Sequence, residues 1–239
     1  RGSSFACLLR RCAGNSKKRY RPGYSEIMRK IVLKTALVTL GVVIVLAVAA
    51  FGIASLCIPA TMSELTYSLG MDLISSDYAY QEYERSGDLA YLSRSFELAA
   101  ANGRDQKAET RFDELYAADG FDEMCAQRDA QTPPVVVGEE EIRYSYRDYV
   151  CGLGACVKYR LANDEQTRAE AIALAVENTS KEFRSGNPVY LLATEAAGRA
   201  DSVFCAQLLT AIEQADFEQN NLFTDLVNIL EVIADEQNR

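Results

Sequence analysis

Between Thr35 and Ile58 the chain runs 24 residues (TALVTLGVVIVLAVAAFGIASLCI) without a charged side chain. As a helix that run measures roughly 36 Å, enough to cross a hydrocarbon core of about 30 Å with some tilt. It has no polar face, so a buried core helix of a globular fold fits it poorly. A cleaved signal sequence is a second reading, but its apolar region is ordinarily about 7–15 residues with small residues before the cut. The best lipobox-like stretch, Ala54-Ser55-Leu56-Cys57, places a bulky Leu where a small residue is wanted. The expectation is an uncleaved single-pass anchor.

Charge is divided unevenly about this run. Residues 1–34 hold ten Lys or Arg against Glu26 alone, a balance of +9, whereas residues 59–239 hold 15 basic residues against 33 acidic ones, a balance of −18. Basic flanks are retained on the cytoplasmic side, which places the N-terminus inside and residues 59–239 outside. Met28-Arg29-Lys30-Ile31 reads like a natural start, so residues 1–27 read either as an over-extended gene start or as a polybasic tail suited to anionic headgroups. The expected role of the basic flank is to set topology. With the folded part strongly acidic, nucleic acid is not an expected partner.

The chain contains no His and no Trp. The absence of His excludes Ser-His-Asp and Cys-His nucleophile pairs, His metal sites and imidazole acid–base chemistry. About half of the residues (49%) are apolar and a quarter (25%) charged, so the part beyond the span is expected to fold rather than stay disordered.

Downstream of Pro59, Gly70, Gly87, Gly103 and Gly120 are separated by 17, 16 and 17 residues. The intervening segments carry apolar residues at helical spacing: Leu65, Leu69 and Leu73, then Leu89, Leu92, Phe96 and Ala99, then Ala108, Phe112 and Leu115. Glycine supplies the positive φ that ends a helix cheaply. Two such units make 33 or 34 residues, the period of a tetratricopeptide helix pair. Tyr83 before the turn, the Gly87-Asp88 turn itself, and Phe96 and Ala99 in the second helix resemble the tetratricopeptide pattern, as do Tyr67 and Leu69-Gly70 upstream. Leu92 stands where that repeat prefers Ala, and no Pro closes the unit after Asn102-Gly103. Arg168, Ala169, Glu170, Ala171 and Ile172 form a weaker echo. The resemblance covers residues 60–120 and implies a TPR-like helical solenoid. The chain also broadly resembles membrane-anchored, repeat-like bacterial proteins, which implies no activity.

Thr132-Pro133-Pro134 cannot continue a helix. Glu139, Glu140 and Glu141 are expected to open the next helix, where its dipole favours negative charge. Ile142, Tyr146, Tyr149, Val150, Leu153, Val157 and Leu161 would give that helix its stripe, with Gly152 and Gly154 marking close packing against a neighbour. Asn163 or Asp164, Asn187 with Pro188, and Asp201 are expected caps of later helices, with Gly198 ending the short helix after Pro188. Leu222, Leu226, Leu230 and Ile233 line the last. The sum is about eight or nine helices beyond the span, packed in antiparallel pairs.

Cys7 and Cys12 fall inside, Cys57 in the span, and Cys125, Cys151, Cys156 and Cys205 outside. The last four permit three disulfide pairings, but all lie in or beside apolar stripes, and Cys151 and Cys156 point to different sides of one helix. Small buried hydrophobes are the better reading. Zinc would need a two-residue ligand spacing that is missing. Asn178-Thr179-Ser180 matches a glycosylation acceptor but is expected on a helix. Arg143, Tyr144, Tyr146, Arg147 and Tyr149 form an aromatic and basic cluster of the residue types enriched at binding hot spots, and are the candidate partner-recognition residues.

The expected organisation is a basic tail (1–34), a transmembrane helix (35–58), TPR-like repeats (59–131), a Pro-containing linker (132–138) and a C-terminal helical region continuing the stack (139–239). The fold class is all-α: a single N-terminal transmembrane helix followed by a helix-pair ectodomain. The leading functional expectation is a membrane-anchored extracytoplasmic module that binds a protein partner, with neither enzymatic activity, cofactor nor small-molecule ligand. A structural subunit of a larger envelope complex is the alternative, and a carboxylate-dependent hydrolase the third.

Overall fold

A computed structural model describes residues 22–137, 140–142 and 144–235. The expected polybasic tail before Pro22, with Cys7 and Cys12, lies outside the described residues. The chain divides into two units, one ending at Ile53 and one beginning at Ala54.

Among the described residues the first unit holds one helix, which runs on past Ile53. α1 (Pro22–Cys57) places Pro at its first position, where the missing N–H costs nothing, and runs without a break through Arg29, Lys30 and Lys34 into the apolar run. Every residue from Met28 to Ile53 is exposed. Its apolar portion, Met28–Cys57, is the one helix among the described residues long and apolar enough to span a membrane, which supports a single-pass topology. Ile58 ends it, with φ −137° and ψ 57°.

The second unit is an all-α bundle with repeat-like packing. α2 (Pro59–Ser68), α3 (Asp72–Ser86), α4 (Leu89–Ala101) and α5 (Asp105–Tyr116) pack each on the next. Gly70, Gly87, Gly103 and Gly120 all adopt the left-handed conformation, at φ 70°, 72°, 66° and 95°; the first three lie at the ends of α2, α3 and α4, whereas Gly120 precedes the next helix, α5 having already ended at Tyr116. Asp88 caps α4 by accepting from the Ala90 N–H at 2.9 Å.

The face that α2 buries differs from the one its leucines suggest. Leu65 and Leu69 are exposed, while Pro59, Met62, Ser63 and Thr66 are buried. Small polar side chains allow this close approach because they satisfy one another. The Ser63 hydroxyl donates to the Ser75 carbonyl (3.0 Å) and that of Ser75 to the Ser63 carbonyl (2.8 Å). The same exchange joins α3 to α4, Ser76 to the Ser95 carbonyl at 2.9 Å and Ser95 to the Ser76 carbonyl at 2.8 Å. A periodicity count that scores only apolar residues misses this seam.

α6 (Phe121–Gln131) lies against α7 and, more lightly, α4, rather than forming an antiparallel pair with α5. Two short strands follow, β1 (Val135–Val137) and β2 (Glu140–Ile142), antiparallel with Val135 opposite Ile142. This corrects the expected helix start at Glu139–Glu141, of which Glu139 lies outside the described residues: the β-branched run is extended and pairs with the residues that follow it. α7 (Tyr146–Leu161) begins only after Ser145, whose hydroxyl accepts from the Asp148 N–H at 3.2 Å.

α7 is the centre of the unit. Val150, Cys151 and Val157 face one core, with Leu92, Phe96, Phe112, Leu115 and Met124. Ala155, Cys156 and Tyr159 face a second core, built by α8 (Glu165–Glu177), α9 (Pro188–Gly198), α10 (Ser202–Gln214) and α11 (Asn221–Asp235). Gly152 and Gly154 let α9 and α5 close on it, as their spacing suggested: a Cβ on Gly152 would stand 2.6 Å from Leu191 Cδ1. α5 thus packs on α7 as well as on α4.

Asp164, Asn187 and Asp201 cap α8, α9 and α10, Asp164 within a reciprocal box with Thr167. Asn220 does the same for α11, accepting from the Phe223 N–H at 2.9 Å. After α9 the reversal is made by Ala200 at φ 53°, not by Gly198, which stays helical. Ten helices follow α1 among the described residues, since Gly70 separates α2 from α3.

Candidate functional site

Of the aromatic and basic cluster, Arg143 lies outside the described residues. The others are brought near one another in the chain but not onto one surface. Tyr146 is turned inward: its hydroxyl hydrogen-bonds to the Glu97 carboxylate and to Ser93, and its backbone N–H donates to Asp129 Oδ1 at 2.7 Å. The Arg128 guanidinium sits over its ring, 5.0 Å from the centroid. Burial raises the Glu97 carboxyl above its ordinary value, and burial together with the adjacent Glu97 pushes the Tyr146 phenol up.

Arg147 is likewise occupied. Its Nε donates to Asp122 Oδ1 at 2.7 Å and its NH1 to Asn178 Oδ1 at 2.8 Å. Asn178, buried at the end of α8, also donates to the Leu174 carbonyl at 2.9 Å and to the Tyr116 hydroxyl at 3.2 Å. The asparagine of the glycosylation-like triplet is thus a helix-end clamp joining α5, α7 and α8. Tyr144 and Tyr149 are exposed, Tyr144 beside Gly186 and Tyr149 at the mouth of a groove between α7 and α9.

That groove, about 470 Å³, is polar at one end and satisfied there. Arg160 pairs with Asp105 at 2.8 Å and reaches Glu195 at 3.5 Å, and Arg199 pairs with Glu195 at 3.0 Å. Its charges therefore balance within the protein.

The groove between α8 and α10 is different. It is an open trough of about 560 Å³ lined by Ala169, Ile172, Ala173 and Val176 from α8, Ala211 from α10 and Ala215 just beyond it. Nothing in the sequence pattern alone shows that alanines on two neighbouring faces leave a furrow. Two contacts fix its C-terminal end, where Glu218 N–H donates to the Lys181 carbonyl at 2.8 Å and Lys181 pairs with Asp216 at 2.5 Å. Phe183, Phe217 and Phe223 gather beneath this joint. Glu165 and Glu177 stand on the lining, no Lys or Arg does, and neither carboxylate forms an ion pair with a described residue. Gln207 is also on the lining, although its side-chain carbonyl oxygen is closed to solvent and has no hydrogen-bond partner among the described residues.

Cys125, Cys151, Cys156 and Cys205 are free and buried, and burial pushes their thiols up to about 12, 11, 12 and 11. Among the described residues no three carboxylates or thiols gather as metal ligands would. The chain matches no family model, no curated protein and no solved structure.

Proposed function

We propose that this chain is a membrane-anchored, TPR-like module that holds a protein partner outside the cytoplasm and carries no catalysis of its own. The observation that supports the reading best is the trough between α8 and α10. It lies between α8, which packs chiefly on α7, and α10, which packs chiefly on α11, and a furrow between neighbouring helices is the kind of surface that stacked helix pairs offer to partners. The +9 flank of α1 supports the outward orientation.

Native mass spectrometry of the full chain, released from its own membranes in mild detergent, tests this. The expected result is a protein companion in fixed ratio that is lost from the Ala173→Phe variant, which fills the trough at an exposed position. A chain that travels alone, or a companion indifferent to this variant, counts against the reading.

One observation favours a second reading, a structural subunit of a larger assembly. Leu65, Leu69, Met71 and Ile74 leave apolar surface exposed around the α2–α3 turn, and Ile229 and Val232 do so on α11. Several different companions, mapped to those two surfaces, would support it.

A further inference from the structure

We propose that the α8–α10 trough receives an amphipathic helix of a partner protein, about three turns long, with an aliphatic stripe and a Lys or Arg near each end. This rests on the reading of the chain as a protein-binding module and specifies what it binds.

Length comes from the two carboxylates. Glu165 and Glu177 are twelve residues apart on α8, which at helical rise is about 18 Å, or a little over three turns. Conformation comes from the walls. On the α8 wall Ala169, Ile172, Ala173 and Val176 offer no hydrogen-bonding side chain between the two glutamates, while Gln207, Thr210 and Gln214 stand on the α10 wall. An extended segment would leave its N–H and C=O groups facing α8 unpaired, whereas a helix satisfies its own. Alanine on both walls also lets a third helix approach closely, since interaxial distance is set by the side chains at the contact.

Charge comes from the lining, which offers carboxylates near its ends and no base, in a unit that is strongly acidic overall. Cationic ends on the incoming helix complement both positions, and like-charged ends are repelled.

The test uses the full chain in phosphatidylcholine nanodiscs, with empty discs as the control for lipid binding. The probes are fluorescent, side-chain-stapled helices of about 14 residues, roughly 21 Å. They carry a Leu/Ala stripe with Lys at both ends, and the stripe is moved through all registers. Anisotropy should show saturable binding for at least one register and at least about tenfold weaker binding when the ends are Glu. Glu165→Lys with Glu177→Lys should reverse that preference, a result that misfolding cannot produce. Ala173→Phe should abolish binding.

Equal binding of Lys-ended and Glu-ended probes, binding that survives Ala173→Phe, or no binding in any register overturns the proposal. If the native companion is present yet the probes fail, only the helix-in-trough assignment falls. If no companion is found from any face, the module reading falls with it.

Discussion

The ring of Phe112 on α5 fills the space above Gly154 on α7: a Cβ there would stand 2.3 Å from its Cε2. Phe112 cannot give way, because it is buried and held between Phe96 and Tyr116, with ring centroids 5.4 and 5.5 Å away. Gly154→Ala should therefore destabilise the unit by about 1–3 kcal/mol by overpacking, outweighing a helix-propensity gain of about 1 kcal/mol. Gly198→Ala, with nothing within 4 Å of the new methyl, should be neutral or slightly stabilising. Denaturant titration followed by circular dichroism separates the two, and a Gly154→Ala chain as stable as the parent would refute the packing.

The Glu97–Tyr146 pair predicts a pH dependence. Burial raises the folded Glu97 carboxyl above its ordinary 4.5, while the Tyr146 hydrogen bond and the Arg128 and Arg94 charges act the other way. Below the ordinary value Glu97 is protonated in both states, and Glu97→Gln should match the parent in stability. As pH rises toward the raised folded value, the unfolded chain releases its proton first and the parent loses stability relative to the variant. Paired unfolding curves from pH 4 to pH 8 should diverge in that direction, and a parent that gains on the variant as pH rises would show the sign to be wrong.

Cys125, Cys151, Cys156 and Cys205 should resist alkylation in the folded chain at pH 8 and react together on unfolding, since burial suppresses their thiolates. Added reductant should leave the thermal midpoint unchanged. A drop of several degrees, or a 151–156 bridge by mass spectrometry, would contradict both the burial and the course of α7.

A reporter fused after Arg239 should be active only if it works outside the cytoplasm, because the ten Lys and Arg before Thr35 hold that end inside. Cytoplasmic activity of the fusion, in cells making the intact chain, would reverse the orientation and remove the extracytoplasmic reading.

Much of this fold was legible in the sequence because glycine and cap residues act locally. Gly70, Gly87, Gly103 and Gly120 each take positive φ, and Asp164, Asn187 and Asp201 each cap the helix they precede. What escaped depends on partners far along the chain. The Leu65–Leu69 face looked like core only because its true competitor, the Ser63–Ser75 exchange, consists of polar residues whose pairing is invisible until α2 and α3 meet. Tyr146 fitted both the apolar stripe and the recognition cluster, and the choice between them is made by Glu97, 49 positions earlier, which holds its hydroxyl. The trough was hidden for the opposite reason: it is made of absent side-chain volume on two helices.

Photo-crosslinking in intact membranes tests the central claim most directly. A photo-reactive side chain at Ala173, in the trough, is compared with one at the exposed Gln81 on α3. The account predicts one discrete protein adduct from position 173, absent from position 81 and lost from the Glu165→Lys, Glu177→Lys chain, with its crosslinked peptide mapping to a helix with basic ends. Adducts that form equally at both positions, or none at 173 while 81 reacts, would contradict it.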